Sequence, residues 1–257
     1  MTRAPLLFCI AILAAPAVNA FDHQHGAYER ILKETVLFSG HQSKVDYRLL
    51  KDRQAELQAY LGDIEGVRRE TYEEWDRSQQ MAFLINAYNA FTLKLIVDNY
   101  PGIESIRDLG GLVFNSPWKQ KFFTLFDRSA HLDYIEHDLL RRDFNDPRIH
   151  FAIVCASRGC PPLLTTAYVG ERLDEQLDNA ARNFLTDPER NRYNATRRRL
   201  ELSPIFNWFQ DDFVKQAGSI QAFVAPYISS DPEIRLLLQN RGASITYLDY
   251  DWSLNGI

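Results

Sequence analysis

Residues 78–102, SQQMAFLINAYNAFTLKLIVDNYPG, constrain this 257-residue chain more than any other stretch. Apolar side chains recur through several turns at helical spacing and occupy almost every face, which is incompatible with a surface position. The spacing predicts a helix that starts near Asp76 or Ser78 and stops at Asn99, before Tyr100-Pro101-Gly102. Such a helix belongs in the middle of a core built by the rest of the chain. At 3.6 residues per turn, Ala82, Asn86, Asn89, Ala90, Leu93 and Val97 share one stripe. Two amides therefore interrupt an apolar face, and a buried amide without partners costs roughly 1–3 kcal/mol. Asn86 and Asn89 are expected to hold something fixed, either loop carbonyls or a reactive side chain.

Around this helix the elements alternate irregularly. Tyr28 to about Leu61 reads as helical with a break at SGHQSKVDY, and IESIRDLGGLVFNSPWKQKFF as an ordered loop with one short helix. LDYIEHDLLRR and TTAYVGERLDEQLDNAARNFL read as helices. RIHFAIVC reads as a buried strand bounded by Asp146-Pro147 and a Ser-Arg-Gly turn. RRLELS and ASITYLDYDW are the other strand candidates, with SPIFNWFQDDFVKQAG and IQAFVAPYI as helices between them. Strands are too irregularly placed for a run of parallel βαβ units. The expected class is α+β: a mostly helical single domain, residues 21–257, with a small, mainly antiparallel sheet and a buried central helix.

Residues 1–20 have the basic start, apolar core and small-residue cleavage site of a signal peptide, and Cys9 would leave with it. No later segment has eighteen uninterrupted apolar residues, so no integral membrane segment is expected after cleavage, and the location implied is periplasmic or secreted. The apolar fraction of 46% with 12% aromatics suits a single globular core, and the net charge of −5 becomes −6 without Arg3. A polyanion-binding face normally dominates a domain's charge, so nucleic acid is not an expected partner, despite the arginines of RNRYNATRRRLEL. No cofactor is expected.

The chemistry-bearing residues gather near HFAIVCASRGCPPL, residues 150–163. Cys155 and Cys160 are the two cysteines left after the leader, and three readings compete for them. A turn containing Gly159 brings two thiols within bridging reach, and an exported protein meets an oxidising compartment, so a Cys155–Cys160 disulfide is one. A catalytic or redox-active Cys155 at the end of a strand is the second. Unpaired structural cysteines are the third, and a zinc site ranks lowest because no second cysteine pair exists. His150, five extended residues away, would lie roughly 16 Å from Cys155 on the opposite face. His137 is therefore the nearer base candidate, near the start of a helix whose dipole would keep its ring neutral. Asp133 to Glu136 has the spacing of a capping box, which explains Glu136 without catalysis. Cleavage after Ala20 would also expose Phe21-Asp22-His23, where the new amine, two amide nitrogens and His23 form a square-planar Cu(II) or Ni(II) site, with His25 close by.

FLINAYNAFTL, SPWK, IEHDLLR, DPRIHFAIVCASRGCPPL, LSPIFNWFQDDF and YLDYDWSLN, in order along nearly the whole mature chain, resemble the domain-of-unknown-function 547 family. That resemblance implies an exported bacterial protein; in plants the family is joined to leucine-zipper segments. It implies no reaction. The matching signatures fall on Asn86, Tyr88, Asn89, Trp118, Glu136, His137, Arg141, His150, Cys155 and Cys160. It also implies that Cys155 matters more than Cys160, and that FDRSAH departs from a glycine-containing turn expected before Leu132.

Two functions follow. One is a thiol-dependent hydrolase or transferase on amide or thioester bonds, with Cys155 attacking, His137 as base, and Asn86 or Asn89 orienting the site. The other is a non-catalytic exported module, bridged by Cys155–Cys160, that receives a small molecule, peptide or envelope component near SPWKQKFF.

Overall fold

A computed structural model describes residues 20–110 and 116–257. All of the leader reading except Ala20 lies outside the described residues. In chain order the elements begin with α1 (Gly26–Thr35), a hairpin of β1 (Val36–Ser39) and β2 (Gln42–Val45), then α2 (Tyr47–Asp52), α3 (Gln54–Glu65), α4 (Arg69–Glu73) and α5 (Arg77–Asn99). A second hairpin, β3 (Phe123–Leu125) and β4 (Arg128–Ala130), precedes a π-helical segment, Tyr134–Arg141, that runs into α6 (Arg142–Phe144). A 3₁₀ turn, Pro147–Phe151, follows, and then α7 (Leu173–Leu185). The C-terminal part holds β5 (Arg192–Asn194), β6 (Arg199–Leu202), α8 (Ile205–Trp208), α9 (Gln210–Ala217), α10 (Ile220–Ile228), α11 (Pro232–Gln239) and β7 (Ser244–Tyr247). The fold class is α+β, and no described helix is long and apolar enough to cross a membrane.

From Met81 to Val97 every residue of α5 except Lys94 is buried. Its start is fixed by a capping box: Gln79 N–H donates to the Asp76 carboxylate at 2.9 Å, and Asp76 N–H to the Gln79 side chain at 3.2 Å. Around it lies an aliphatic and aromatic core supplied by α1 to α4 and the π segment. A second core, rich in phenylalanine, joins Phe151, Phe184, Phe206, Phe213 and Phe223 beneath α7 to α10. The strands of the described residues make three small sheets. Two are antiparallel hairpins, and the third is β5-β6-β7, antiparallel at β5–β6 and parallel at β6–β7.

Several expectations are corrected. The break at SGHQSKVDY is the β1–β2 hairpin, an element that a four-residue pattern could not announce. The turn before Leu132 is a two-residue hairpin without glycine: Phe126 and Asp127 hold φ of 54° and 58°, the left-handed region that this turn demands. Helix α7 begins at Leu173, after a coil and a 3₁₀ turn, rather than at Thr165.

RIHFAIVC is not a strand. Pro147 sits at the first helical position, the Asp146 carboxylate accepts from Arg148 N–H at 2.9 Å, and the chain makes a 3₁₀ turn through His150 and Phe151. Only beyond Ala152 does it open. There the partner of a strand is replaced by a side chain: the Asn89 amide donates to the Ala152 carbonyl at 2.9 Å and accepts from Val154 N–H at 2.9 Å. Asn86 does the same for Tyr168, donating to its carbonyl at 2.7 Å and accepting from its N–H at 3.0 Å. Two amides of the central helix thus satisfy buried backbone that has no sheet to join.

Candidate functional site

Asn89 fixes the approach to Cys155 from one side, and the C-terminal stretch fixes it from the other. Ala156 adopts a left-handed φ of 59°, which turns the chain after Cys155. Arg158 N–H then donates to the Ser253 carbonyl at 2.9 Å, Gly159 N–H to Asp251 at 2.8 Å, and Asn255 N–H to Ala156 at 3.0 Å. Gly159 is required here, since a Cβ would lie 3.0 Å from both Asp251 N and the Tyr250 ring. This close approach delivers the Tyr250 hydroxyl to 3.2 Å from Cys155 Sγ. Ser157 Oγ stands 3.1 Å from the same sulfur and donates to Tyr250 at 3.2 Å.

Cys160 completes the cluster. Its sulfur lies 2.9 Å from Cys155 Sγ and accepts Cys155 N–H at 2.8 Å, and both thiols are free. Cys160, buried, supplies the hydrogen bond that does most to push the Cys155 thiol down to about 7, with Ser157 and Tyr250 adding to it against the effect of burial. Burial pushes Cys160 in the opposite direction, well above the usual thiol range. One thiol is therefore activated at the expense of the other.

A second polar arm reaches the same pocket. His150 Nε2 lies 2.7 Å from Asp212 Oδ2, and its ring stacks on Phe209 with centroids 3.8 Å apart. Arg141 donates to both Asp212 oxygens, at 2.6 and 3.0 Å. Burial opposes ionisation of Asp212, but the hydrogen bonds from His150 and Arg141 outweigh it and hold the carboxyl below the usual carboxylate range. Burial keeps His150 uncharged below its ordinary value, with Asp212 acting against it. A carboxylate only accepts, so neutral His150 carries its proton on Nε2 and leaves Nδ1 a bare lone pair. That Nδ1 is buried and has no hydrogen-bond partner among the described residues.

His137 is placed differently from expectation. Arg141 donates to its Nδ1 at 2.8 Å, which occupies the lone pair that a base would use. Glu136 is also corrected: Asp133 has helical dihedrals and caps nothing, so the expected capping box is absent. Within the widened π segment Glu136 turns inward, 7% exposed, and accepts from the Tyr88 hydroxyl at 3.3 Å. Burial, then the charge of Asp133, pushes its carboxyl up to about 8, against the Tyr88 hydrogen bond.

These groups line one pocket of about 210 Å³: Cys155, Cys160, His150, His137, Glu136 and Tyr250 all border it. The opposite-face placement expected for His150 and Cys155 is thus overturned along with the strand, since both border this pocket. Asn86 and Asn89 stand behind the pocket as backbone clamps. His23 lies elsewhere, edge-on to Trp75 with centroids 4.5 Å apart, and its Nδ1 is enclosed without a partner among the described residues. No cluster of three or more His, Cys, Asp or Glu suited to a cation occurs among the described residues.

Residues 72–185 match the family model described as "Protein of unknown function, DUF547". The match covers less than half of the chain, and over this stretch the chain is similar to the DUF547 family. The matched span contains Asn89, Glu136, His150 and both thiols, whereas Trp208, Asp212, Tyr250 and Trp252 lie beyond it. No curated protein and no solved structure matches the chain. Asp212, Ser157 and Tyr250 were not singled out by sequence reasoning. The signal available for two of them was aromatic and acidic density in WFQDDF and YLDYDW, which exceeds what a surface helix and a terminal strand need.

Proposed function

We propose that the protein is an exported thiol-dependent hydrolase or acyltransferase that acts on amide or thioester bonds, with Cys155 as nucleophile. The observation that carries this reading is a sulfur with three hydrogen-bond partners, its thiol held at about 7, in a pocket shared with a histidine whose free nitrogen has no other task. His150 replaces His137 as base, and Asp212 fixes its tautomer as the acid of a triad does.

Cys155 gives its proton to His150 Nδ1 once substrate binding has brought the two within hydrogen-bond reach. The thiolate then attacks the carbonyl carbon, and the carbon–nitrogen or carbon–sulfur bond breaks. The leaving group takes a proton from the imidazolium, which returns His150 to its neutral form, while Glu136, whose carboxyl stays protonated to about pH 8, keeps the wall uncharged. Water or an acceptor nucleophile, deprotonated by the neutral base, releases the acyl group from Cys155 and regenerates the thiol.

A second reading is favoured by the 2.9 Å between the sulfurs: a Cys155–Cys160 disulfide in an oxidising compartment, on a non-catalytic module that binds a peptide or small molecule. One experiment separates them. Protein isolated without reductant is titrated for free thiols, and Cys155 alkylation by iodoacetamide is then followed against pH, together with hydrolysis of a simple acyl thioester. The enzyme reading expects a fast thiol with an inflection near pH 7 and turnover that disappears in Cys155→Ser. Zero thiols in the isolated protein and no turnover after reduction would replace it with the module.

A further inference from the structure

Besides Tyr88, five aromatic rings converge on the Cys155 pocket: Trp118, Trp208, Phe209, Tyr250 and Trp252. Tyr250 and Trp252 have centroids 4.6 Å apart, Trp208 and Tyr250 4.8 Å, and Trp208 stacks on Trp252 at 5.6 Å. Trp208 is nevertheless 44% exposed, an indole face left open to solvent at the edge of the pocket. Packing alone does not require three tryptophans at one opening. An occupant with an apolar face would cover them.

The charge of that occupant is restricted by what the wall already holds. Arg141 is committed to Asp212 and lies over the Phe209 ring at 5.1 Å; Arg107 lies over Trp252 at 5.2 Å. Guanidinium groups so placed already draw on the π density of those two rings and leave them less attractive to a further cation. Among the described residues an anion finds no free cationic partner on the wall, and it faces Asp133 there. Glu136, His137 and His150 are all biased by burial toward their uncharged forms, which agrees with a site built for neutral ligands. A sugar is disfavoured on different grounds. Its hydroxyls would need several free polar groups, yet on the wall Glu136 is engaged with Tyr88 and His150 Nε2 with Asp212.

We infer that the acyl part of the substrate is uncharged and apolar, of the size of a single substituted aromatic ring, and that it packs against Trp208 and Trp252 while its carbonyl faces Cys155. The size follows from the volume: a cavity of about 150 Å³ holds benzene, and this one, at about 210 Å³, leaves room for a linking atom or two. The inference rests on the nucleophile reading above for the position of the carbonyl, and on the ring cluster alone for the ligand class.

The test uses the full chain and reagents with one reactive centre: chloroacetamide, N-benzyl chloroacetamide, chloroacetylglycine, a chloroacetamide bearing a trimethylammonium group, and N-chloroacetyl glucosamine. Inactivation rates are measured at pH 7 and the modified residue is located by mass spectrometry. The benzyl reagent should label Cys155 at least tenfold faster than chloroacetamide and show saturation, the carboxylate should be the slowest, and Trp208→Ala should narrow the benzyl advantage to below threefold. Equal rates for the benzyl and parent reagents, or a lead for the anionic, cationic or sugar reagent, would overturn it. In parallel, quenching of tryptophan fluorescence by phenylacetamide is measured on Cys155→Ser, with and without Trp208→Ala. Saturable quenching that the second change abolishes supports the ligand class even where no reagent labels Cys155, an outcome that sinks the nucleophile alone. No saturable quenching overturns the ligand class itself.

Discussion

Replacing Glu136 by glutamine isolates the most displaced carboxyl in the pocket. Its ordinary value of 4.5 is raised to about 8 by burial among apolar neighbours and by Asp133, and the Tyr88 hydroxyl recovers only part of the difference. The folded chain therefore keeps this proton where the unfolded chain has released it. A raised acid contributes stability that is complete below pH 4.5 and is lost as the pH climbs to about 8. At about 1.4 kcal/mol per pH unit, the loss across that window is roughly 5 kcal/mol. Glutamine has no proton to release and still offers Tyr88 an acceptor. The stability of Glu136→Gln relative to the parent should therefore rise by about 1.4 kcal/mol per pH unit between pH 5 and 8. Urea unfolding of both proteins at pH 5, 6, 7 and 8 measures this difference, and titrations common to the two cancel in it. A difference that stays flat within about 0.5 kcal/mol across the range, well under the slope expected from linkage, would mean that Glu136 is ionised inside the fold. The account of the site as a neutral pocket would then be wrong.

Asn89→Ala leaves the Ala152 carbonyl and Val154 N–H buried without partners and should cost roughly 2–4 kcal/mol in urea unfolding, with Cys155 alkylation slowed several-fold as its approach loosens. Asp212→Asn should lower the His150 titration further in an NMR pH series, because the carboxylate now holds the imidazolium form up; it should also remove about 1–2 kcal/mol of stability. The contribution of Asp212 is present above its ordinary 3.8 and fades only as the pH falls toward its lower folded value, so the loss should be seen at pH 7 and shrink in strong acid. Asp127→Gly, at an exposed left-handed position, should raise stability by about 0.5–1 kcal/mol, measured as a higher urea midpoint; a lower midpoint would mean that the Asp127 side chain has a role the turn conformation does not explain.

The central helix and its two asparagines were legible because their pattern spans six turns, long enough for periodicity and caps to agree on both ends. The role of the asparagines followed from the same reasoning: a buried amide demands partners, and loop backbone is the commonest source of them. The segment 147–154 was not legible for a related reason. A short apolar run is equally buried as a strand or as a 3₁₀ turn, and the group that pairs with its backbone is a side chain 63 or 65 residues away. Misreading that geometry moved His150 away from Cys155 and put His137 in its place. Glu136 was misread because Asp-Tyr-Ile-Glu fits a surface motif, and nothing local announces a widened helix that turns the same residue inward. Asp212 and Tyr250 act across 62 and 95 residues of chain, a distance over which spacing carries no information.

The limits of the DUF547 match bear on how the protein should be handled at the bench. A fragment cut at residues 72 and 185 would keep both sulfurs but lose the hydroxyl 3.2 Å from Cys155 and the carboxylate that orients His150. It would also strip Phe151 and Phe184 of Phe206, Phe213 and Phe223, leaving a greasy half-interface open to water. Such a piece would be expected to precipitate, and a negative assay on it would say nothing about the intact molecule.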